Sequence, residues 1–294
     1  MKTGETNSPQ DIRMNPFNGW SWNPTAIYGI DFSGALLAGR KIWISLAVIK
    51  GGVLEIKNCF RGLSLPNSGR RLPDCLEALV TFIASHKNSI FGFDFPFGLP
   101  RQIAENIGCE NWTGFISAFP HEFNNPHEFR YKCQQVFAKP EAKRTTDRES
   151  HTPFSPYNLR LFKQTYFGIT GVLYPLLKNV NACVVPMQKV IDDRPLILEI
   201  CPKSTLVREK IAIKKYKGKT KKHFVNRQLI LNRLSEKAVI IPKNLSRSIL
   251  ADAEGDALDS VIAAYTVGKS LLNPTFPFPA GWKREYAIEG YVYS

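Results

Sequence analysis

The stretch Ala26-Ile27-Tyr28-Gly29-Ile30-Asp31-Phe32-Ser33-Gly34 sets the frame for the whole chain. An apolar run ends on an aspartate and then a Ser-Gly turn, so Ala26–Asp31 reads as a strand that terminates on a carboxylate. Working outward, Lys41–Lys50 (with Ile-Trp-Ile-Ser-Leu-Ala-Val-Ile inside it) is a second strand. Gly51-Gly52 signals a tight hairpin, and Val53–Arg61 is a third strand. Three strands joined so closely form an antiparallel meander. Leu72-Pro73-Asp74 opens a helix with Leu76, Leu79, Val80 and Ile83 at helical spacing. Ser89–Asp94 is a fourth strand, reached through that helix and therefore parallel to the first.

Farther along, Pro156–Lys178 reads as a long helix weakened by Gly168, Gly171 and Pro175, and Pro195–Ile200 as a fifth strand. Lys203–Lys210, Thr220–Ala238 and Ser246–Leu272 read as helices. Val239–Pro242 and the C-terminal Glu289-Gly290-Tyr291-Val292-Tyr293 have strand-like character. The expected fold is α/β: one domain over residues 23–294, with a mixed five-stranded sheet flanked by helices and a helical insertion at about 101–185. Residues 1–22, polar and rich in Asn, Pro and Gly, are expected to form a disordered tail.

Composition narrows the function classes. The chain has 294 residues, 44% hydrophobic and 22% charged, ordinary values for a globular protein. No window offers about 18 uninterrupted apolar residues, so no membrane span is expected. The six cysteines show no C-x-x-C spacing and lie largely in apolar runs, which suits reduced thiols and a cytoplasmic location. The net charge of +14 is concentrated. Residues 201–250 hold 14 Lys and Arg against the two acids Glu209 and Glu236. The centre of this segment is Lys214, Lys215, Lys217, Lys219, Lys221 and Lys222, and it points to a polyanion partner.

Five acids interrupt apolar stretches: Asp31, Asp94 in Phe-Gly-Phe-Asp-Phe-Pro, Glu199 in Leu-Ile-Leu-Glu-Ile-Cys-Pro, and the pair Asp256 and Asp259. A carboxylate in such a setting is costly unless compensated. Two of them brought to about 4 Å repel by roughly 4 kcal/mol at an effective dielectric near 20. A divalent cation relieves that repulsion, and oxygen-only ligands favour Mg²⁺ or Mn²⁺. Asp31, Asp94 and Glu199 lie at the carboxyl ends of strands, where α/β sheets bind ligands. Asp256 and Asp259, three apart on a helix, share one face. Asp31, Asp94, Asp256 and Asp259 are the expected metal ligands, with Asp256 favoured over Asp259, and Glu199 is the fifth catalytic candidate. Lys203, Arg144, Arg148 and Arg160 are candidates for contact with substrate, and Gln164 lies one turn beyond Arg160.

The element order resembles the ribonuclease H topology. The motifs Gly29-Ile30-Asp31-Phe32-Ser33-Gly34, Gly92-Phe93-Asp94-Phe95-Pro96-Phe97-Gly98, Glu199-Ile200-Cys201-Pro202, Asp256-Ala257-Leu258-Asp259 and Glu289-Gly290-Tyr291 resemble those of the domain-of-unknown-function family 429. The paired aspartates are also similar, more distantly, to those of Holliday-junction resolvases. The resemblance implies a ribonuclease H-like nuclease that hydrolyses nucleic-acid phosphodiesters, DNA or RNA, at two Mg²⁺ or Mn²⁺ ions. Two alternatives stay open. One is a nucleic-acid-binding protein of the same fold without catalysis. The other is an actin-like or sugar-kinase-like ATPase, which would need a second copy of the core and a glycine-rich adenosine site.

Overall fold

The computed structural model describes residues 24–137, 141–211, 213 and 215–294. The expected tail and Lys214 lie outside the described residues. The strands are β1 (Ala26–Asp31), β2 (Trp43–Lys50), β3 (Val53–Arg61), β4 (Ser89–Phe93), β5 (Cys183–Val184), β6 (Leu196–Ile200), β7 (Val239–Ile240) and β8 (Val292–Tyr293). They form one mixed sheet in the order β5-β6-β4-β1-β2-β3-β7, with β8 added alongside β6. The five long strands are those expected from sequence. The sheet has eight strands because β5, β7 and β8, two residues each, extend it by pairing in parallel with β6, β3 and β6. Segments so short carry little periodic signal, and tertiary pairing decides them.

The local causes are plain. Gly51 and Gly52 both have positive φ (57° and 81°), the conformation a two-residue hairpin needs to keep β2 and β3 antiparallel. β1 pairs antiparallel with β2 and parallel with β4, and β4 pairs parallel with β6. Every residue of β4 and β6 is buried, as their unbroken apolar runs require of strands covered on both faces.

One face of the sheet carries α1 (Leu72–Ser85) and the insertion. The insertion comprises α2 (Arg101–Asn106), α3 (Trp112–Glu122), α4 (Pro126–Gln135), α5 (Thr145–Glu149), α6 (Phe162–Gly168) and α7 (Tyr174–Lys178). A π-helical turn over Ile169–Leu173 joins α6 to α7 and packs on α1. The helix read from sequence over Pro156–Lys178 therefore starts only at Phe162. This side is dense in aromatic side chains, with Trp112, Phe115, Phe119, Phe123 and Phe129 all buried.

The other face carries α8 (Pro202–Arg208), α9 (Lys221–Ser235), α10 (Lys243–Ala251) and α11 (Asp256–Leu271), while α12 (Tyr286–Glu289) precedes β8. The single helix expected over Ser246–Leu272 is two. Asp252 is extended and Gly255 takes φ 78°, so the chain turns sharply before α11.

α11 is buried almost throughout and lies directly on β1. The backbones meet at Gly29, where an added Cβ would sit 2.1 Å from the Ser260 carbonyl oxygen and 2.2 Å from the Ala264 nitrogen. At Gly92 on β4 such an atom would sit 2.5 Å from Val267 Cγ2. A buried hydrogen bond from Ser45 on β2 to Ser260 (2.7 Å) fixes the helix along its length.

Gly29→Ala is expected to destabilise the protein by about 3 kcal/mol or more, because the obstacle is backbone that cannot rotate away. A urea midpoint within experimental scatter of the parent would contradict this packing.

Candidate metal centre

β1 and β4 run side by side in parallel, with Ile30 opposite Phe93, so the next residues, Asp31 and Asp94, emerge together at the carboxyl edge. The Asp94 N–H donates to the Ile30 carbonyl (3.0 Å), extending that pairing by one step. Asp259 hangs over them from the first turn of α11. One carboxylate oxygen from each of Asp31, Asp94 and Asp259 lies within 4.8 Å of the other two. Asp31 and Asp259 are only 6% and 3% exposed.

Three carboxylates this close, two of them buried and Asp94 partly so, need positive charge, and a tethered ammonium supplies it. Lys217 Nζ lies 2.6 Å from Asp259 Oδ2 and 3.2 Å from Asp256 Oδ1. The Tyr216 hydroxyl donates to Asp259 Oδ1 (2.6 Å), and the amino end of α11 adds a favourable dipole. The Tyr216–Gly218 loop is held in turn by the buried Arg227 of α9. Its guanidinium donates to the carbonyls of Tyr216 (2.7 Å), Gly218 (3.0 Å) and Leu250 (3.2 Å). The Gly218 N–H donates to the Ala253 carbonyl (2.6 Å), fastening the loop to the α10–α11 corner.

Burial is the largest influence on the titration of this group. It drives Asp31 well above the usual carboxylate range, with Asp259, Asp256 and Asp94 adding to the rise and Lys217 opposing it. Asp94 is pushed up to about 8, by burial first and then by Asp259. For Lys217 burial acts downward, but Asp259, Asp31 and Asp256 outweigh it and the ammonium is held more firmly charged than a free lysine.

The other candidates divide. Asp256 stands at the rim beside Lys217, outside the triad, because Asp259 is one helical turn farther over the strand ends. The preference for Asp256 is thus reversed.

Glu199 is buried on β6, but its oxygens are occupied. It accepts from the Phe97 N–H (2.9 Å) and from both terminal nitrogens of Arg144, one at 2.8 Å. Through the Phe97 N–H it holds the loop that follows Asp94, and it lines the same cavity while lying outside the triad. Arg144 lines the same cavity but is wholly buried, bonded also to both oxygens of Asp147 and to the Glu289 carbonyl, so its guanidinium is already engaged within the protein. Glu289 accepts from the backbone N–H groups of Arg101 and Thr145, tying two insertion helices to the C-terminal segment.

Gln164 on α6 donates to the carbonyls of Phe32 (2.6 Å) and Asp94 (2.7 Å), clamping the two strand ends that carry the aspartates. Gly168 gives room to the Phe95 ring and not to a ligand.

The carboxylates open into a cavity of about 480 Å³ that is also lined by Lys203, Lys217, Arg160 and Phe154. The Arg160 guanidinium lies over the Phe154 ring at 5.2 Å. Arg148 is exposed, donates to the Lys143 carbonyl and Thr145 hydroxyl, and does not line the cavity. Of the described lysines in the basic segment only Lys217 reaches the carboxylates. Lys219 lines a neighbouring cavity, and Lys215, Lys221 and Lys222 face solvent.

The Tyr216 and Arg227 contributions are illegible locally, since neither differs in sequence from ordinary residues of a basic helix and loop. The donor set is oxygen alone, which suits a hard divalent cation. The nearby Cys201 thiol is pushed up to about 12, by burial first and then by Asp94, and stays protonated. Comparison with family models, curated proteins and solved structures finds no match to this chain.

Raised folded-state carboxylate pKa values stabilise the protonated form. That contribution is full below about pH 4 and is lost as pH rises through about 8. The metal-free protein is therefore expected to lose melting temperature over that window, and Mn²⁺ to restore it most at the alkaline end. A metal-free melting temperature level from pH 4 to 8 would contradict the cluster. Lys217→Met removes a charge that competes with the cation, and is expected to tighten Mn²⁺ binding about tenfold by calorimetry. Unchanged or weaker binding would show that Lys217 does not oppose the metal.

Proposed function

We propose that this chain is a divalent-metal-dependent phosphodiester hydrolase acting on nucleic acid, built on a ribonuclease H-like core. The observation that carries the reading is the convergence of Asp31, Asp94 and Asp259 to within 4.8 Å from two adjacent strand ends and a helix. The strand order β3-β2-β1-β4-β6, antiparallel across the first three and parallel across the last, agrees with that core. The motifs resembling family 429 include all three aspartates.

Asp31, Asp94 and Asp259 would hold Mg²⁺ or Mn²⁺, which when bound supplies Lewis acidity toward phosphate oxygens and a deprotonated water. Tyr216 orients Asp259 through its hydroxyl. Gln164 and the Glu199–Arg144 pair keep the two strand ends from splaying under their mutual repulsion. Lys217, 48% exposed at the cavity mouth, neutralises the cluster in the absence of metal and can turn toward a scissile phosphate. Arg160 and Lys203 supply phosphate affinity without sequence readout. Burial of Asp31 and Asp259 weakens the screening of their own charges by bulk water.

A second reading, a binding protein without catalysis, is favoured by one observation: Lys217 already pairs with Asp259 and Asp256 without a metal. The ATPase reading lacks its second core, since the described residues form one sheet.

Asp31→Asn separates the first two. Metal-dependent cleavage of labelled DNA or RNA is expected to fall by about 100-fold or more. At alkaline pH, where the parent must ionise its buried Asp31, the variant's metal-free melting temperature should equal or exceed the parent's. Absence of any metal-dependent product from the parent would leave the binding reading. Undiminished cleavage by the variant would remove Asp31 from the chemistry.

A further inference from the structure

A second cavity, of about 560 Å³, adjoins the first across the ends of β1, β2 and β3. The sheet register links them: Asp31 pairs with Trp43, and Trp43 with Arg61. Residues paired across a ladder project from one face, so Trp43 and Arg61 stand about 5 and 10 Å from Asp31 on the α11 side. Lys217 and Asp256 line the first cavity; Lys219 and Glu254, two residues away on the same segments, line the second.

The second cavity is basic. Arg40, Lys41, Arg61 and Lys219 line it against Asp252 and Glu254. Glu254 is paired with Lys41, and Asp252 accepts from the Ala257 N–H at the start of α11. The Arg61 guanidinium lies over the Trp43 ring at 4.9 Å and donates to the Arg40 carbonyl (3.0 Å). A guanidinium held over an aromatic ring keeps N–H groups available to phosphate oxygens. The carboxylate triad is thus flanked by two arginine–aromatic pairs, Arg160 on Phe154 in its own cavity and Arg61 on Trp43 in the next.

We infer that a single nucleic-acid strand crosses the carboxylates from one pair to the other, its backbone held in the Arg40–Arg61–Lys219 groove on the β2–β3 side. The inference rests on the nucleic-acid reading above. The occupant is a polyanion because the groove is cationic and its Trp43 is the strand partner of Asp31 in the triad. It is a single strand because the triad lies at the floor of a cavity, which a flexible backbone can enter and a stiff duplex enters only with distortion. The groove takes phosphates and reads no bases.

The test uses the Asp31→Asn protein, so that substrate survives, and a fluorescent single strand of about 15 nucleotides followed by anisotropy from about 50 to 200 mM salt. Adding Arg40→Gln and Arg61→Gln is expected to weaken binding at least tenfold. The double change should also flatten the log–log salt slope by about 1.4, two phosphate contacts at 0.7 each. Lys50→Gln with Lys87→Gln, at the ends of β2 and β4 away from the triad, should stay within twofold of the parent. Lys219→Gln, on a separate segment, should lower the slope by about 0.7 and serves if loss of the Arg61–Trp43 contact impairs folding.

Unchanged affinity and slope in the groove variants would overturn the groove, as would an equal loss in the Lys50 and Lys87 control. Tighter binding of a duplex than of the single strand would overturn the single-strand assignment. A parent that binds no nucleic acid at about 50 mM salt would overturn the nucleic-acid reading itself, and the groove with it.

Discussion

The backbone of α11 rests on the backbone of β1, and the rest of the site follows from that contact. At Gly29 there is no space for even a methyl group between strand and helix. Such closeness leaves α11 no freedom to slide or rise, so Asp259 in its first turn hangs over Asp31 at the strand's end. The Ser45–Ser260 hydrogen bond and the Thr205–Thr266 hydrogen bond (2.8 Å) add lateral register, tying the helix to β2 and to α8. A helix packed at ordinary separation, with side chains interposed, would stand several ångströms farther off and spread the carboxylates.

Forcing the aspartates together has an electrostatic cost, and two separate devices meet it. The first is local neutralisation by Lys217 and Tyr216, with Arg227 gripping the carbonyls of their loop. The loop is thereby pinned to the same α10–α11 corner that starts the helix, so the counter-charge and the charge it serves are fixed by one piece of structure. The second is mechanical. Gln164 clasps the carbonyls of both strand ends, and Glu199 holds the loop after Asp94 through the Phe97 N–H. Glu199 sits deep because Arg144 meets it with two nitrogens, and Arg144 in turn is satisfied by Asp147 and the Glu289 carbonyl. A fully bonded buried network of this kind fixes geometry more than it adds net stability.

The insertion therefore belongs to the site. Its helix α6 contributes Gln164, the segment before α5 contributes Arg144, and Glu289 joins the amino ends of α2 and α5. The aromatic core beneath makes the insertion rigid enough to hold these groups in place. One wall of the cavity is consequently set by the sheet and α11, and the facing wall by the insertion.

The long strands, the hairpin at Gly51-Gly52, and the acids that end strands were legible from periodicity and turn chemistry, because those signals act between residues near in sequence. So was the choice of Asp31 and Asp94 as partners, since consecutive parallel strands place their carboxyl ends together. Which member of the helical pair joins them depends on how far α11 advances over the sheet, and Gly29 decides that through a contact with residues more than two hundred positions away. The break of one long helix at Gly255, the diversion of Glu199 to Arg144, and the arrival of Lys217 and Tyr216 at Asp259 are likewise long-range outcomes. Local sequence determined the elements and the kinds of charge they carry. Tertiary structure decided which charges meet, because only packing sets the distances on which Coulomb energy and hydrogen bonding depend.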